Sequence, residues 1–166
     1  MTTAMIDALV LAAALASVSV LPPYATAYRF EDLAVSPETV SVPARPRLTS
    51  AQARLYRTRL QKAAADGPNF DGHLAVAQWG CGTCCVGFGI VDLRTGDVWM
   101  PGFSLACGYP QTDAVRGQAG LYFRRDSALF VAIGSPDEGP RAAVYYYRWN
   151  GHGLELLKTE LERANE

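Results

Sequence analysis

No block of like charge occurs anywhere in this chain. Its 15 Lys and Arg face 16 Asp and Glu, for a net charge of −1. Without a basic excess there is nothing to displace counterions from a polyanion, so nucleic acid is excluded as a partner. Histidine is scarce as well. His73 and His152 lie far apart, with no H-x₃-H or paired C-x-x-C spacing, so no metal site is predicted. No G-x-S-x-G elbow prepares a serine nucleophile. Cys85, not histidine, follows Cys81-Gly82-Thr83-Cys84, which excludes covalent c-type haem. No cofactor is implied and no residue is assigned a catalytic role.

The apolar run Ile6 to Leu21 is too short for a comfortable transmembrane span. It ends near Ala25-Thr26-Ala27, the small-x-small pattern of a secretory cleavage site. No Lys or Arg precedes the run and Asp7 sits near its start, both atypical of a leader. We expect residues 1–27 to be a signal peptide, leaving a periplasmic or secreted chain with no membrane span. Asp7 is the only charged residue of the leader, so the mature chain carries no formal net charge.

What is present centres on Asn69 to Met100. This stretch holds three of the four cysteines, one of the two histidines and two of the three tryptophans. From His73 to Trp79, Leu74, Val76 and Gln78 fall on one face, and Ala75, Ala77 and Trp79 on the other. Both faces are largely apolar, which predicts a central strand. Val86 to Leu93 forms the next strand, Arg94-Thr95-Gly96 the turn, and Asp97 to Met100 the return. An even cysteine count in an exported chain predicts two disulfides. Cys84 and Cys85 point to opposite faces of an extended segment and should find different partners. The favoured pairing is Cys81–Cys85 with Cys84–Cys107; a vicinal Cys84–Cys85 bond is the least favoured.

Residues 28–48 read as an extended, proline-bearing arm that adds an edge strand or wraps the domain. Thr49 to Asp66 reads as one helix, with Thr49 as N-cap, Gln52 reaching back, and Gly67-Pro68 as the stop. Its outer face is basic: Arg54, Arg57, Arg59 and Lys62. Phe103 to Gly120 is a long loop that a Cys84–Cys107 bridge would tie down. Strands follow from Leu121, from Ala128 to Ile133, from Ala142 to Trp149 and from Leu154 to Leu157. The polar tail, 158–166, is predicted to be a short helix or disordered. The fold class is therefore α+β, with residues 49–157 as one domain. Its core is one curved antiparallel meander of about six strands, with blade-like hairpins and one N-terminal helix packed on it.

Gly67-Pro68-Asn69-Phe70-Asp71-Gly72-His73, then Trp79-Gly80-Cys81-Gly82-Thr83, Cys85 and the D-x-x-T-G turn, resemble a group of small exported bacterial proteins of unknown function. The shared pattern is G-P-N-F-x-G-H-Y, a short strand, W-G-C-G-T-x-C, then D-x-x-T-G. The resemblance covers about residues 50–157 and is most specific over 67–97. It implies an exported α+β domain and no activity. The chain departs from the pattern at Leu74, where an aromatic is usual. It departs again at Cys84, where a small residue is usual, which supports Cys84 and Cys107 as an added pair.

Two functional readings follow. The leading one is a non-enzymatic, immunity- or inhibitor-like domain that binds another protein or an envelope component. Its candidate surface is Arg124 and Arg125 in a polar turn, with Tyr145 and Tyr147 on the aromatic strand, because Arg and aromatics anchor interfaces. The alternative is a small enzyme or thiol–disulfide protein built on Asp71, His73, Trp79 and Thr83 around Cys81, Cys84 and Cys85.

Overall fold

The computed structural model describes residues 19–107, 119–140 and 142–161. Most of the apolar run, loop residues 108–118 and tail residues 162–166 lie outside these. Eight antiparallel strands form one open sheet: β1 (Leu74–Gly82), β2 (Cys85–Asp92), β3 (Val98–Trp99), β4 (Leu105–Ala106), β5 (Gly120–Phe123), β6 (Leu129–Pro136), β7 (Ala143–Trp149) and β8 (Leu154–Glu160). The path runs β1-β2-β4-β6-β7-β8, with β3 also on β2 and β5 also on β6. Two-residue β4 joins the halves: Leu105 and Ala106 pair with Val86 and Cys85 on one side and with Pro136 and Ser135 on the other. The expected meander of about six strands thus becomes eight strands with a shared corner. The local pattern gave no sign of β4, because two residues carry no period.

The halves close on a shared aromatic core. Val76, Phe88 and Ile90 from β1 and β2 meet Leu121, Phe123, Phe130 and Ala132 from β5 and β6, with Phe70 between them. A second core lies on the outer face of β1 and β2. There Ala75, Ala77, Trp79 and Val91 receive Ala53, Leu60 and Ala64 from the helices. Small residues permit this close approach. A Cβ on Gly89 would come 2.8 Å from Met100 Sδ and 3.1 Å from Leu60 Cδ2. β1 is accordingly apolar on both faces, yet it is an end strand and not a central one. Covered faces do not require paired edges. Its free edge is met instead by the Asn69 amide, which accepts from Val76 N–H at 2.8 Å and donates to Val76 C=O at 3.1 Å.

The predicted single helix is two: α1 (Ala51–Leu55) and α2 (Arg57–Asp66). They break at Tyr56, whose ring stacks on Trp79 with centroids 4.0 Å apart. The N-cap is Ser50, not Thr49; Ser50 Oγ accepts from Ala53 N–H at 3.0 Å. Gly67 ends α2 at φ +95°, as its position in the sequence predicts. β8 continues through Glu160, where tail was expected, because Tyr145 and Tyr146 of β7 pair with Thr159 and Lys158.

The arm wraps the domain. One 3₁₀ turn (Phe30–Leu33) packs on the outer face of β6 and β7, beside Val131, Ile133, Val144 and Tyr146. Buried Ser127 ties it down by donating to Phe30 C=O at 2.7 Å. Further on, Val35 N–H bonds Asp126 C=O, Glu38 N–H bonds Gly72 C=O, Ala44 N–H bonds Leu93 C=O and Arg47 N–H bonds Gly96 C=O.

Before the arm, Thr26 and Ala27 are held by Glu160. Its carboxylate accepts Thr26 N–H at 3.0 Å, Thr26 Oγ1–H at 2.6 Å, Ala27 N–H at 3.2 Å and the Tyr146 hydroxyl at 2.5 Å. Burial opposes ionisation of Glu160, but these donors outweigh it and bring the carboxyl down to about 2. A folded pKa below the ordinary 4.5 gives stability that is complete above the ordinary value and lost as pH falls through about 2. Limited proteolysis of the full chain is therefore expected to release residues 19–29 progressively between those two values. Glu160→Gln should remove that pH dependence. Unchanged protection in the wild-type chain below the lower value would show that Glu160 does not hold the segment.

Candidate functional site

The four residues of the predicted cluster do not form one site. Asp71 and His73 lie at the start of β1, while Trp79 is six residues further along, about 20 Å at strand rise. Thr83 is exposed beyond the strand's end.

Around His73 the structure gathers partners that are remote in sequence. The turn before β1 needs left-handed backbone at Asp71 (φ +40°) and Gly72 (φ +77°). A Cβ at Gly72 would lie 2.9 Å from Ser36 C=O, so glycine lets the arm pass. The passing arm places Glu38 Oε1 3.2 Å from His73 Nδ1, while Asp92 Oδ2 lies 3.7 Å from Nε2. Arg94 Nη1 stands 3.7 Å from Glu38 Oε1, and Arg94 Nε stands 3.7 Å from Asp92 Oδ1. His73 is only 8 % exposed. Its Nδ1 is the one buried side-chain polar atom without a hydrogen bond among the described residues. Burial raises the Asp71 carboxyl; His73 and Arg94 oppose this and Glu38 adds to it.

Chemically this is a clasp. The imidazole lies between the Glu38 carboxylate on the arm and that of Asp92 on β2. A catalytic histidine needs a nucleophile or a substrate within reach. All four cysteines are in disulfides, and His73 lines none of the grooves described below. Among the described residues, no group of three or more His, Cys, Asp or Glu is placed to hold a metal ion.

The far end of β1 is different. Gly80 to Cys84 are five consecutive exposed residues at the tip of the longest hairpin. Cys81 sits at the register shift between Gly80 and Gly82 and bonds Cys85, with Cα atoms 5.1 Å apart. Cys84, at φ +52°, bonds Cys107, with Cα atoms 5.5 Å apart. Cys107 N–H also donates to Cys84 C=O at 2.9 Å. The pairing is the one favoured from the sequence, and the formal C-x-x-C is split between two bonds. Beside the tip lies a groove of about 280 Å³, whose aromatic walls are Tyr56, Trp79 and Phe103 and whose polar rim includes Gln52 and Asp137. Trp79 fits because Gly87 faces it across the strand pair. A Cβ on Gly87 would come 2.9 Å from the indole Cε2.

Arg124 and Arg125 both contact the arm, Arg124 partly buried and Arg125 exposed, as the polar turn predicts. Arg124 donates to both Asp126 oxygens, at 2.8 and 2.5 Å, and to Glu31 at 2.8 Å. Its guanidinium also lies 5.3 Å over the Phe30 ring. The Arg124 hydrogen bonds hold the Asp126 carboxyl below its ordinary value, against the effect of burial. Arg125 Nη2 donates to Glu38 C=O at 2.5 Å. Tyr147 stacks on Phe103 at 6.3 Å, and burial pushes its phenol up to about 12. Tyr145 packs half-buried against the aromatic core.

Sequence reasoning missed Glu38, Asp92 and Arg94 around His73, and Tyr56 and Phe103 beside Trp79. No local pattern marks any of the five as a site residue. Two disulfides fit an oxidising compartment. Among the described residues, no helix is long and apolar enough to cross a membrane. Comparison of the chain with family models, with curated proteins and with solved structures gives no match in any of the three.

Proposed function

We propose that this chain is an exported, disulfide-stabilised domain of the periplasm or extracellular space. On this reading it is non-enzymatic, and it binds another protein or an envelope component through the stapled hairpin tip. One observation carries the reading: both disulfides converge on five exposed residues, Gly80 to Cys84. A protruding loop held this firmly loses little conformational entropy when it is gripped, which favours binding. The neighbouring Tyr56–Trp79–Phe103 groove supplies the aromatic area that interface anchors use. The catalytic alternative has less support, because the polar cluster at His73 is spent on the arm and no thiol is free.

A photo-cross-linking amino acid at Thr83, in the full chain expressed in exporting cells, tests this directly. A discrete adduct from Thr83, absent when the same group replaces exposed Glu155 on β8, is the expected result. No adduct from a folded, exported chain, or the same adducts from both positions, would defeat the reading.

A further inference from the structure

The charge of this nearly neutral chain is distributed unevenly. From Thr39 to Ala65 there are six basic residues, Arg45, Arg47, Arg54, Arg57, Arg59 and Lys62, and no Asp or Glu. Arg47 pairs with Asp97, and Lys62 with Asp66. Arg45, Arg54, Arg57 and Arg59 have no carboxylate partner among the described residues. All three helical arginines are exposed, and Leu55 beside them is 70 % exposed.

The same face carries a groove of about 400 Å³ between the arm and α2. Pro43, Ala44, Arg45 and Pro46 form one wall, and Gln61, Ala64 and Ala65 the other. The arm wall is fixed by the Ala44 to Leu93 and Arg47 to Gly96 backbone bonds, at 2.8 and 2.7 Å, so the groove is preformed. Arg57 lies one helical turn before Gln61 on the same stripe, which puts a second cation in line with the groove. A ring-and-methyl floor with an arginine on each flank suits an extended polypeptide that alternates small apolar and acidic side chains.

We propose that this groove docks an acidic segment of a partner protein. Charge complementarity selects an acidic partner. Shape favours protein over lipid: the groove is a preformed slot walled by proline rings and alanine methyls, which fits an extended chain. The surface is separate from the hairpin tip, so the two proposals fail independently.

The probe is a fluorescent peptide of alternating Glu and Ala, titrated with the full chain, beside its Gln–Ala counterpart and vesicles of phosphatidylglycerol and phosphatidylethanolamine. Saturable binding of the Glu–Ala peptide is expected, weakened about tenfold or more by added salt and in the Arg45→Glu/Arg57→Glu double variant. Both positions lie on the surface, so this variant should unfold with the wild-type midpoint. Arg148→Glu, on β7, should leave binding unchanged. Four results would overturn the proposal: no binding, equal binding of the Gln–Ala peptide, binding indifferent to the double variant, or binding to vesicles but not to peptide.

Discussion

Phe130→Ala is expected to cost about 3–5 kcal/mol, measured by urea unfolding of the full chain. Phe130 is fully buried on β6, where the two halves of the sheet close on each other. Its ring stands 5.1 Å from Phe88 on β2, and 5.6 Å from both Phe123 on β5 and Phe70 before β1. No rotamer change in one neighbour can refill a space bounded by three rings from three segments. The cavity term should therefore be near its full size. The loss is a large fraction of the 5–15 kcal/mol typical of a domain. Phe130→Leu keeps most of the volume and should cost under about 1.5 kcal/mol. If Phe130→Ala cost no more than the leucine variant, the aromatic cluster would not be what joins the halves.

How much of this was legible depends on the range of the interactions involved. The β1–β2 hairpin, the turn at Gly96, the helix stop at Gly67 and the tyrosine strand β7 are set by neighbours in sequence. Most were placed within a residue or so, although β1 runs three residues past the Trp79 end that its alternation suggested. The favoured disulfide pairing is the one found, although its premise of an extended segment is not: Cys84 lies in the turn at φ +52°. Errors came where distant contacts decide. Tyr56 leaves the helix with its ring on Trp79, 23 positions away, and no helix propensity encodes that. β8 runs on to Glu160 because β7 is there to pair with it. β1 looked central because its two apolar faces are covered by helices and by the opposite half of the sheet.

The site shows the same division. Asp71 and His73 are near neighbours in sequence, but Glu38 reaches His73 only through the arm. Arg125 is exposed as its turn suggested, but the bonds that Arg124 and Arg125 make to Glu31 and the Glu38 carbonyl span remote positions in sequence and could not be read locally. The G-P-N-F-D-G-H and D-L-R-T-G runs prove to be residues that shape turns and receive the arm. Asn69 finishes an edge, Phe70 enters the core, Gly72 and Gly96 let the arm pass, and Asp92 flanks His73. That assignment leaves the W-G-C-G-T-C-C tip as the part of the stretch that fold requirements alone do not explain.

Deleting the two disulfides separately tests that remainder. Cys84 and Cys107 are 23 residues apart, and Cys81 and Cys85 only 4. Loop-closure entropy then predicts a loss of about 3.4 kcal/mol for Cys84→Ser/Cys107→Ser and about 1.9 kcal/mol for Cys81→Ser/Cys85→Ser. Stability and tip order should respond in opposite ranks. The long bridge restrains the unfolded chain more, whereas the short one spans the exposed residues themselves. If the bridges are only staples, cross-linking from Thr83 should follow the folded fraction in both variants. If the tip is the contact surface, the chain without Cys81–Cys85 should stay folded by circular dichroism and still lose its adduct. That second result is expected, since an ordered tip keeps its binding geometry at little entropic cost and a freed one does not. Full capture by a folded chain that lacks the short bridge would move the contact surface away from the hairpin.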